Sequence, residues 1–186
     1  MMPEKQSLTS PVFSLGNKIN RVVWGAFYLC LFRYSPVFLF KWRNFLLRVF
    51  GARLAASCRI YPSVKIWLPA NLEVGELATL GPCVNVYNQG LISIGREVIV
   101  SQGSHLCAST HDYNDPLHPL VLKPIMIEDH VWICADAFVG PGVTLAEGCV
   151  IGARAAIFKN SRPWSVYSGN PAQLIKQREI FSRGKA

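Results

Sequence analysis

Few side chains in this sequence could do chemistry at neutral pH. It has four histidines (His105, His111, His118 and His130) and six cysteines (Cys30, Cys58, Cys83, Cys107, Cys134 and Cys149). The cysteines form no CxxC and no paired spacing with histidine, which points to small buried thiols in a reduced chain, not to a disulfide framework. Histidine has an ordinary pKa near neutrality, so it can take a proton from a weak acid such as an alcohol. His111 stands in Leu106-Cys-Ala-Ser-Thr-His-Asp112, with Asp112 and Asp115 close behind it. Those carboxylates could orient an imidazole, but both are also turn residues. Taken alone, His111 reads equally well as a base and as a solvated loop histidine. His105 and His118 read as surface or loop residues.

What would hold His111 in place is a repeat. Stepping by six from Ile127 gives Ile133, Val139, Leu145, Ile151 and Ile157, all aliphatic, and four residues after each comes a small or β-branched residue. The same pattern runs through Ile94, Val100 and Leu106, through Val74, Leu80 and Val86, and through Leu54, Ile60 and Ile66, making fifteen hexads in five groups of three. The phase slips by two at residues 72–73 and 92–93, and by fifteen over residues 112–126. A period of six is neither helical nor simple strand alternation. It predicts a solenoid with three short flat faces per turn, aliphatic residues pointing inward and coils stacked at ~4.8 Å. The period leaves the handedness open, and the usual crossover rule favours a right-handed path. His111 falls where the chain leaves a rigid coil for the long loop, a sensible place for a base.

The 186-residue chain has a net charge of +8, with 51% hydrophobic and 16% charged residues, which excludes a mainly disordered chain or a histone-like polycation. The whole excess lies in residues 17–59, which hold Lys18, Arg21, Arg33, Lys41, Arg43, Arg48, Arg53 and Arg59 and no acid. Two apolar runs, Val22 to Phe32 and Tyr34 to Phe40, lie within this segment. Both fall short of the ~20 residues of a membrane span. The sixteen mixed residues ahead of the segment and the lack of a cleavage pattern argue against a signal peptide. Pro36 divides residues 17–50 into two expected helical pieces. The segment reads as a cap over the open solenoid end, with its basic residues as the wet face, or as a peripheral contact with an anionic membrane. It is too apolar for nucleic acid. The expected organisation is a flexible N-terminus (1–16), a basic aromatic helical cap (17–53), and a β-helix domain with a C-terminal tail (54–186).

The hexads combine with three stretches: the one around His111, Ile127-Glu-Asp-His-Val-Trp-Ile-Cys-Ala135, and Ser168-Gly-Asn-Pro-Ala172. Together they resemble the left-handed β-helix acyltransferases, in particular the exopolysaccharide sugar O-acetyltransferases of the colanic-acid type, relatives of the galactoside and maltose acetyltransferases. The resemblance covers roughly residues 17–180. It implies a mainly β fold: a left-handed parallel β-helix of about five coils, an N-terminal helical segment, a long loop at 112–126 and a short C-terminal helix. It also implies an enzyme that moves acetyl from acetyl-CoA to a sugar hydroxyl in exopolysaccharide biosynthesis. The expected assembly is a homotrimer with sites between neighbouring subunits. The expected location is the cytoplasm, at the inner face of the membrane if the basic segment docks there.

By that resemblance His111 is the general base, oriented in relatives by a backbone carbonyl, and the backbone N–H of Ala135 is the oxyanion donor. Ala153 and Lys159 align with positions that contact the cofactor, with Phe158 between them where relatives often carry a polar residue. Trp132 lines the pantetheine channel or packs against a neighbouring subunit; Lys176 and Arg178 meet the phosphates or form a solvated basic tail. Asn85 and, with less weight, Asn88 match a region that holds sugar hydroxyls, although asparagine is also an ordinary corner residue. Cys134 sits at a small position, like Gly140 and Gly152, so direct transfer is preferred to an acyl-enzyme. The alternatives are a γ-type carbonic anhydrase and a non-catalytic β-helix scaffold. The former would need zinc on His105, His111 and His130, whose coil positions match such a site poorly. No metal is therefore expected.

Overall fold

The computed structural model of the chain describes residues 13–179. Residues 54–157 wind into five complete coils of a left-handed parallel β-helix, and Ser165–Ser168 begins a sixth. The inner residues stack as the hexads require. Leu54, Val74, Ile94, Ile127 and Leu145 form a ladder on the first face. Ile60, Leu80, Val100, Ile133 and Ile151 form the second, and Ile66, Val86, Leu106, Val139 and Ile157 the third. All but Leu54 are buried. Each such side chain contributes about 1.5–3 kcal/mol by leaving water.

Strands stay two or three residues long because the chain must turn at every edge of the prism. The third residue of these corners takes left-handed backbone: Leu77, Glu97 and His130 between the first and second faces, and Cys83, Gly103, Asp136 and Arg154 between the second and third. A non-glycine residue gives up roughly 1–2 kcal/mol there. Hydrogen bonds between coils offset part of it: Leu77 N–H donates to Ser57 Oγ at 3.0 Å and Cys83 N–H to Ser63 Oγ at 2.9 Å.

Two expectations need correction. The stretch 112–126 is not one long loop. Ser109–His111 pairs antiparallel with Leu120–Leu122, so the excursion is a hairpin, and Ile125–Ile127 is already back in the first face. The short C-terminal helix is instead a strand, Gln173–Gln177, antiparallel to Ser165–Ser168. Residues 180–186 lie outside the described residues, as does most of the expected flexible N-terminus, 1–16.

The N-terminal segment covers the open end of the first coil. Helix α1 (Leu15–Phe27) starts at Ser14, whose side chain accepts from Asn17 N–H, and continues as a π-helical turn, Tyr28–Phe32. Helix α2 (Phe40–Val49) follows the link that contains Pro36. Trp24, Phe32, Leu46 and Leu47 bury themselves against the coil. Coil 1 has no earlier coil to receive its edge carbonyls, and side chains supply one donor system per face. Arg48 donates to Leu54 C=O, Arg43 Nε to Ile60 C=O at 2.7 Å, and Trp24 Nε1 to Ile66 C=O at 2.9 Å. Asn44 adds a bond to Cys58 C=O at 2.9 Å. Arg43 is fully buried with no carboxylate partner among the described residues; three more of its N–H groups bond Ser35 Oγ and the carbonyls of Pro36 and Val37.

Replacing Arg43 strands those carbonyls in a dry site, so Arg43→Leu is expected to lower stability by about 3 kcal/mol or more in urea unfolding. An unchanged midpoint would show that water replaces the guanidinium.

Candidate active site

His111 ends the outgoing strand of the hairpin and is exposed. Its Nδ1 lies 2.6 Å from the carbonyl oxygen of His118 on the returning side. A carbonyl can only accept, so Nδ1 carries a proton, and in the neutral imidazole Nε2 is the nitrogen with the lone pair for a substrate hydroxyl. His118 takes a left-handed conformation, φ 45°, and its own N–H bonds Asp115 C=O at 2.9 Å. Asp112 and Asp115 do not touch the imidazole. They accept from Asn114 and Leu117 N–H respectively and fold the hairpin tip.

A second feature lies along the edge between the second and third faces. The residue two places after each inner residue of the second face occupies the same corner site: Pro62, Pro82, Gln102, Ala135 and Ala153. The flanking N–H groups bond to neighbouring coils, for instance Cys134 N–H to Ile151 C=O and Asp136 N–H to Gln102 C=O. The N–H groups of Ala135 and Ala153 have no protein partner among the described residues. Proline removes that N–H in the first two coils, whereas the later coils present it. Trp132 is exposed on the second face, with its Nε1 on Ser101 Oγ at 3.1 Å, three residues before Ala135.

The remaining expected residues separate. Lys176 is exposed on the last strand, opposite Val166 on the same second face. Arg178 donates to His130 C=O and Gly148 C=O and lies over the Trp164 ring, so it pins the final coil. Lys159 and Phe158 are exposed beyond the last strand of the third face, across that face from Ala153. Within one chain His111 and Ala135 also stand at opposite edges of the third face.

Asn85 is half-buried on the third face, its Nδ2 3.5 Å from His105 Nε2. Asn88 is different. It is fully buried, its Oδ1 accepts from Trp67 and Leu68 N–H, and its Nδ2 donates to Leu68 C=O at 2.6 Å. It joins coils 1 and 2 and leaves no group for a sugar. His105 is not a loop residue either. It lies on the third face between the Tyr87 and Phe138 rings, and burial pushes its pKa down, keeping it neutral at pH 7. His130 occupies a corner, 3.0 Å from Glu97 Oε2, with its ring stacked on Trp164. Among the described residues no three His, Cys, Asp or Glu side chains gather as metal ligands.

A backbone carbonyl was expected to orient His111, but neither the residue that supplies it nor an aromatic pair on the third face was anticipated from the sequence. The His118 carbonyl is a backbone group and leaves no residue-type signal. An aromatic pair, Trp67 and Tyr87, stands one residue after the inner positions Ile66 and Val86; spacing by one coil could have revealed it.

Comparison with known proteins agrees with the fold. The family model described as bacterial transferase hexapeptide (six repeats) matches residues 124–159. WcaF of Escherichia coli K12, named for an acetyltransferase role in colanic acid biosynthesis, is 42% identical over 166 residues, 89% of this chain and 91% of that protein. This chain belongs to the hexapeptide-repeat acetyltransferase family. The galactoside O-acetyltransferase of Escherichia coli K12 is 27% identical over 77% of this chain and 71% of its own length. Among solved structures, a galactoside acetyltransferase in complex with coenzyme A superposes with a TM-score of 0.81 at 21% identity, covering 95% of this chain and 92% of the other. A hexapeptide-repeat acetyltransferase from Vibrio cholerae, complexed with acetyl-CoA, gives 0.80 at 23% identity over 90% and 91%. These structures share the left-handed β-helix.

Membership makes the protein an acyltransferase, and Cys134 is its one thiol beside the free N–H of Ala135. Burial raises the Cys134 pKa, so at neutral pH it holds its proton and is a poor nucleophile. Cys134→Ser is expected to retain most acyl-transfer activity. An acylated Cys134 peptide in rapid-quench mass spectrometry would contradict that.

Proposed function

We propose that this protein transfers an acetyl group from acetyl-CoA to a sugar hydroxyl in exopolysaccharide biosynthesis, as a homotrimer with His111 as general base. The observation that carries the reading is the His111–His118 hydrogen bond, which fixes the tautomer a base requires. The acceptor hydroxyl gives its proton to His111 Nε2 while its oxygen attacks the thioester carbon. Negative charge gathers on the former carbonyl oxygen, where the N–H of Ala135 is the donor. The tetrahedral adduct then expels the CoA thiolate, and the imidazolium returns the proton to sulfur. Placing the oxyanion donor in advance is the usual source of most of the rate gain.

His111 and Ala135 stand on different edges of one prism, so a site that uses both draws them from two subunits. This supports the trimeric reading. Trp132 would offer an apolar wall to pantetheine, Ala153 a backbone donor to its amides, and Lys159 and Lys176 cations to the phosphates. Arg178 serves chiefly to hold the last coil. Asn85, and not the backbone-bonded Asn88, would serve as the acceptor ligand.

The N-terminal segment supports a second contact. Val22, Tyr34 and Phe38 are 75%, 81% and 76% exposed, and Lys18, Arg33 and Lys41 are exposed among them. No helix among the described residues is long and apolar enough to cross a membrane. An anionic lipid surface at the inner face of the membrane suits aromatics with flanking cations.

His111→Ala is expected to lower kcat by about 10²–10⁴-fold with circular dichroism and sedimentation unchanged. Ala135→Pro copies the residue that coils 1 and 2 carry at this corner and removes only the N–H; a loss of about 10²-fold is expected. Wild-type rates in either variant would remove that residue from its role. Co-sedimentation with phosphatidylglycerol vesicles at low salt, but not with phosphatidylcholine vesicles, is expected of the basic segment. Equal absence from both would end the membrane reading.

A further inference from the structure

A cavity of about 430 Å³ lies between α1 and the outer surface of the third face in coils 1 and 2. Lys18 and Arg21 of α1 face Lys65 and Trp67 of coil 1, with Asn85 and Tyr87 of coil 2 completing the wall. The Trp67 and Tyr87 rings lie 6.5 Å apart at 72°, and the Arg21 guanidinium sits 4.0 Å above the Trp67 ring. Helix α1 is held over the cavity by the Trp24 bond to Ile66 C=O, so the two walls are fixed to one another.

The charge of this cavity is one-sided. Among the described residues Lys18, Arg21 and Lys65 have no carboxylate partner and no acid lines the space. Three like charges around a half-enclosed volume repel each other, and the low-dielectric walls strengthen that repulsion. An anion relieves it. The Trp67 ring is already engaged by Arg21 and by Phe13 at 5.0 Å, so Tyr87 is the ring that offers apolar surface to a sugar, while Asn85 can donate to and accept from a hydroxyl. A cavity of this size takes one or two sugar units. A neutral sugar would use Asn85 and Tyr87 but leave Lys18 and Lys65 unanswered, with Arg21 resting on the Trp67 ring.

We infer that this cavity binds the acceptor and that the acceptor carries a negative charge, as a sugar bearing a phosphate or a carboxylate. The inference rests on the sugar-acetyltransferase reading and narrows its substrate class. The cavity opens on the third face, whose coil-3 strand, His105–Cys107, runs on into the hairpin that carries His111. Bound there, the charged group would be gripped by the Lys18, Arg21 and Lys65 side, leaving the hydroxyls of the ring for transfer.

The test uses the whole protein and matched probes: galactose, glucose and mannose, each as the free sugar, the 1-phosphate and the uronic acid. Binding is followed by tryptophan fluorescence and acetyl transfer by release of CoA thiol. At least one charged form is expected to bind about tenfold or more tightly than its neutral parent at low salt, with the advantage shrinking as salt rises. Whether the phosphate or the carboxylate series shows it identifies the source of the charge. In the double variant Lys18→Gln with Lys65→Gln, the charged probe is expected to weaken to within about twofold of the neutral one, with circular dichroism unchanged. Equal binding of charged and neutral forms, no binding of any charged form up to roughly millimolar probe, or a preference that survives the double variant would overturn the inference. Transfer to a neutral sugar without any charge preference would retire the charged acceptor and keep the transferase. Selective binding without transfer to any probe would retire the sugar-acetyltransferase reading and keep the anion site.

Discussion

A stacked coil leaves half of its backbone groups pointing at whatever comes next. Within the solenoid the next coil answers them, and the chain can repeat the arrangement without new invention. At the first coil nothing precedes, and an unanswered row of carbonyls beside an apolar core is both costly and adhesive. Arg48, Arg43 and Trp24 answer one inner carbonyl on each of the three faces. This requirement accounts for two of the basic residues and one of the aromatics of the N-terminal segment. Arginine suits it because a planar fork of donors can satisfy several carbonyls at once while its stem packs against apolar neighbours. The cationic excess is therefore partly a structural device, and only the exposed remainder is available to a ligand or a membrane.

The same stacking also creates the chemistry. Parallel coils bring equivalent corner residues into rows, so one backbone feature is repeated with a new side chain in each coil. Along the edge between the second and third faces, that row changes from proline to residues with an unbonded N–H. The scaffold thus presents donors on a rigid edge at the coils where the transferase chemistry is proposed. The hairpin supplies the complementary element, a histidine whose tautomer is fixed by a carbonyl seven residues on.

The coil was legible because burial acts on residue type: each inner position needs an aliphatic side chain, and all three ladders follow the hexads in register. The hairpin was not, because its returning strand, Leu120–Leu122, carries no hexad phase and Pro116 and Pro119 resemble loop punctuation. The C-terminal strand was missed for a related reason. Gln173–Gln177 has residues compatible with a helix, and pairing with Ser165–Ser168 overrides that weak preference. His111 stood out through its motif, but the His118 carbonyl is common to every residue type and carries no mark. Asn85 and Asn88 look alike in sequence. Only the depth of the corner separates the half-buried side chain from the one committed to backbone.

The hairpin also bears on how the chain finds its fold. Neighbouring inner residues of the first face are twenty apart at Leu54–Val74 and Val74–Ile94, and thirty-three apart at Ile94–Ile127, where the hairpin intervenes. Loop-closure entropy grows only with the logarithm of that separation, so the longer step adds roughly 0.4 kcal/mol to the assembly of the fourth coil. The excursion closes its own hydrogen bonds and returns the chain to the same ladder, so its length is nearly decoupled from the stability of the coils. A lineage could lengthen or shorten it to suit a different acceptor and leave the folding of the solenoid almost unchanged.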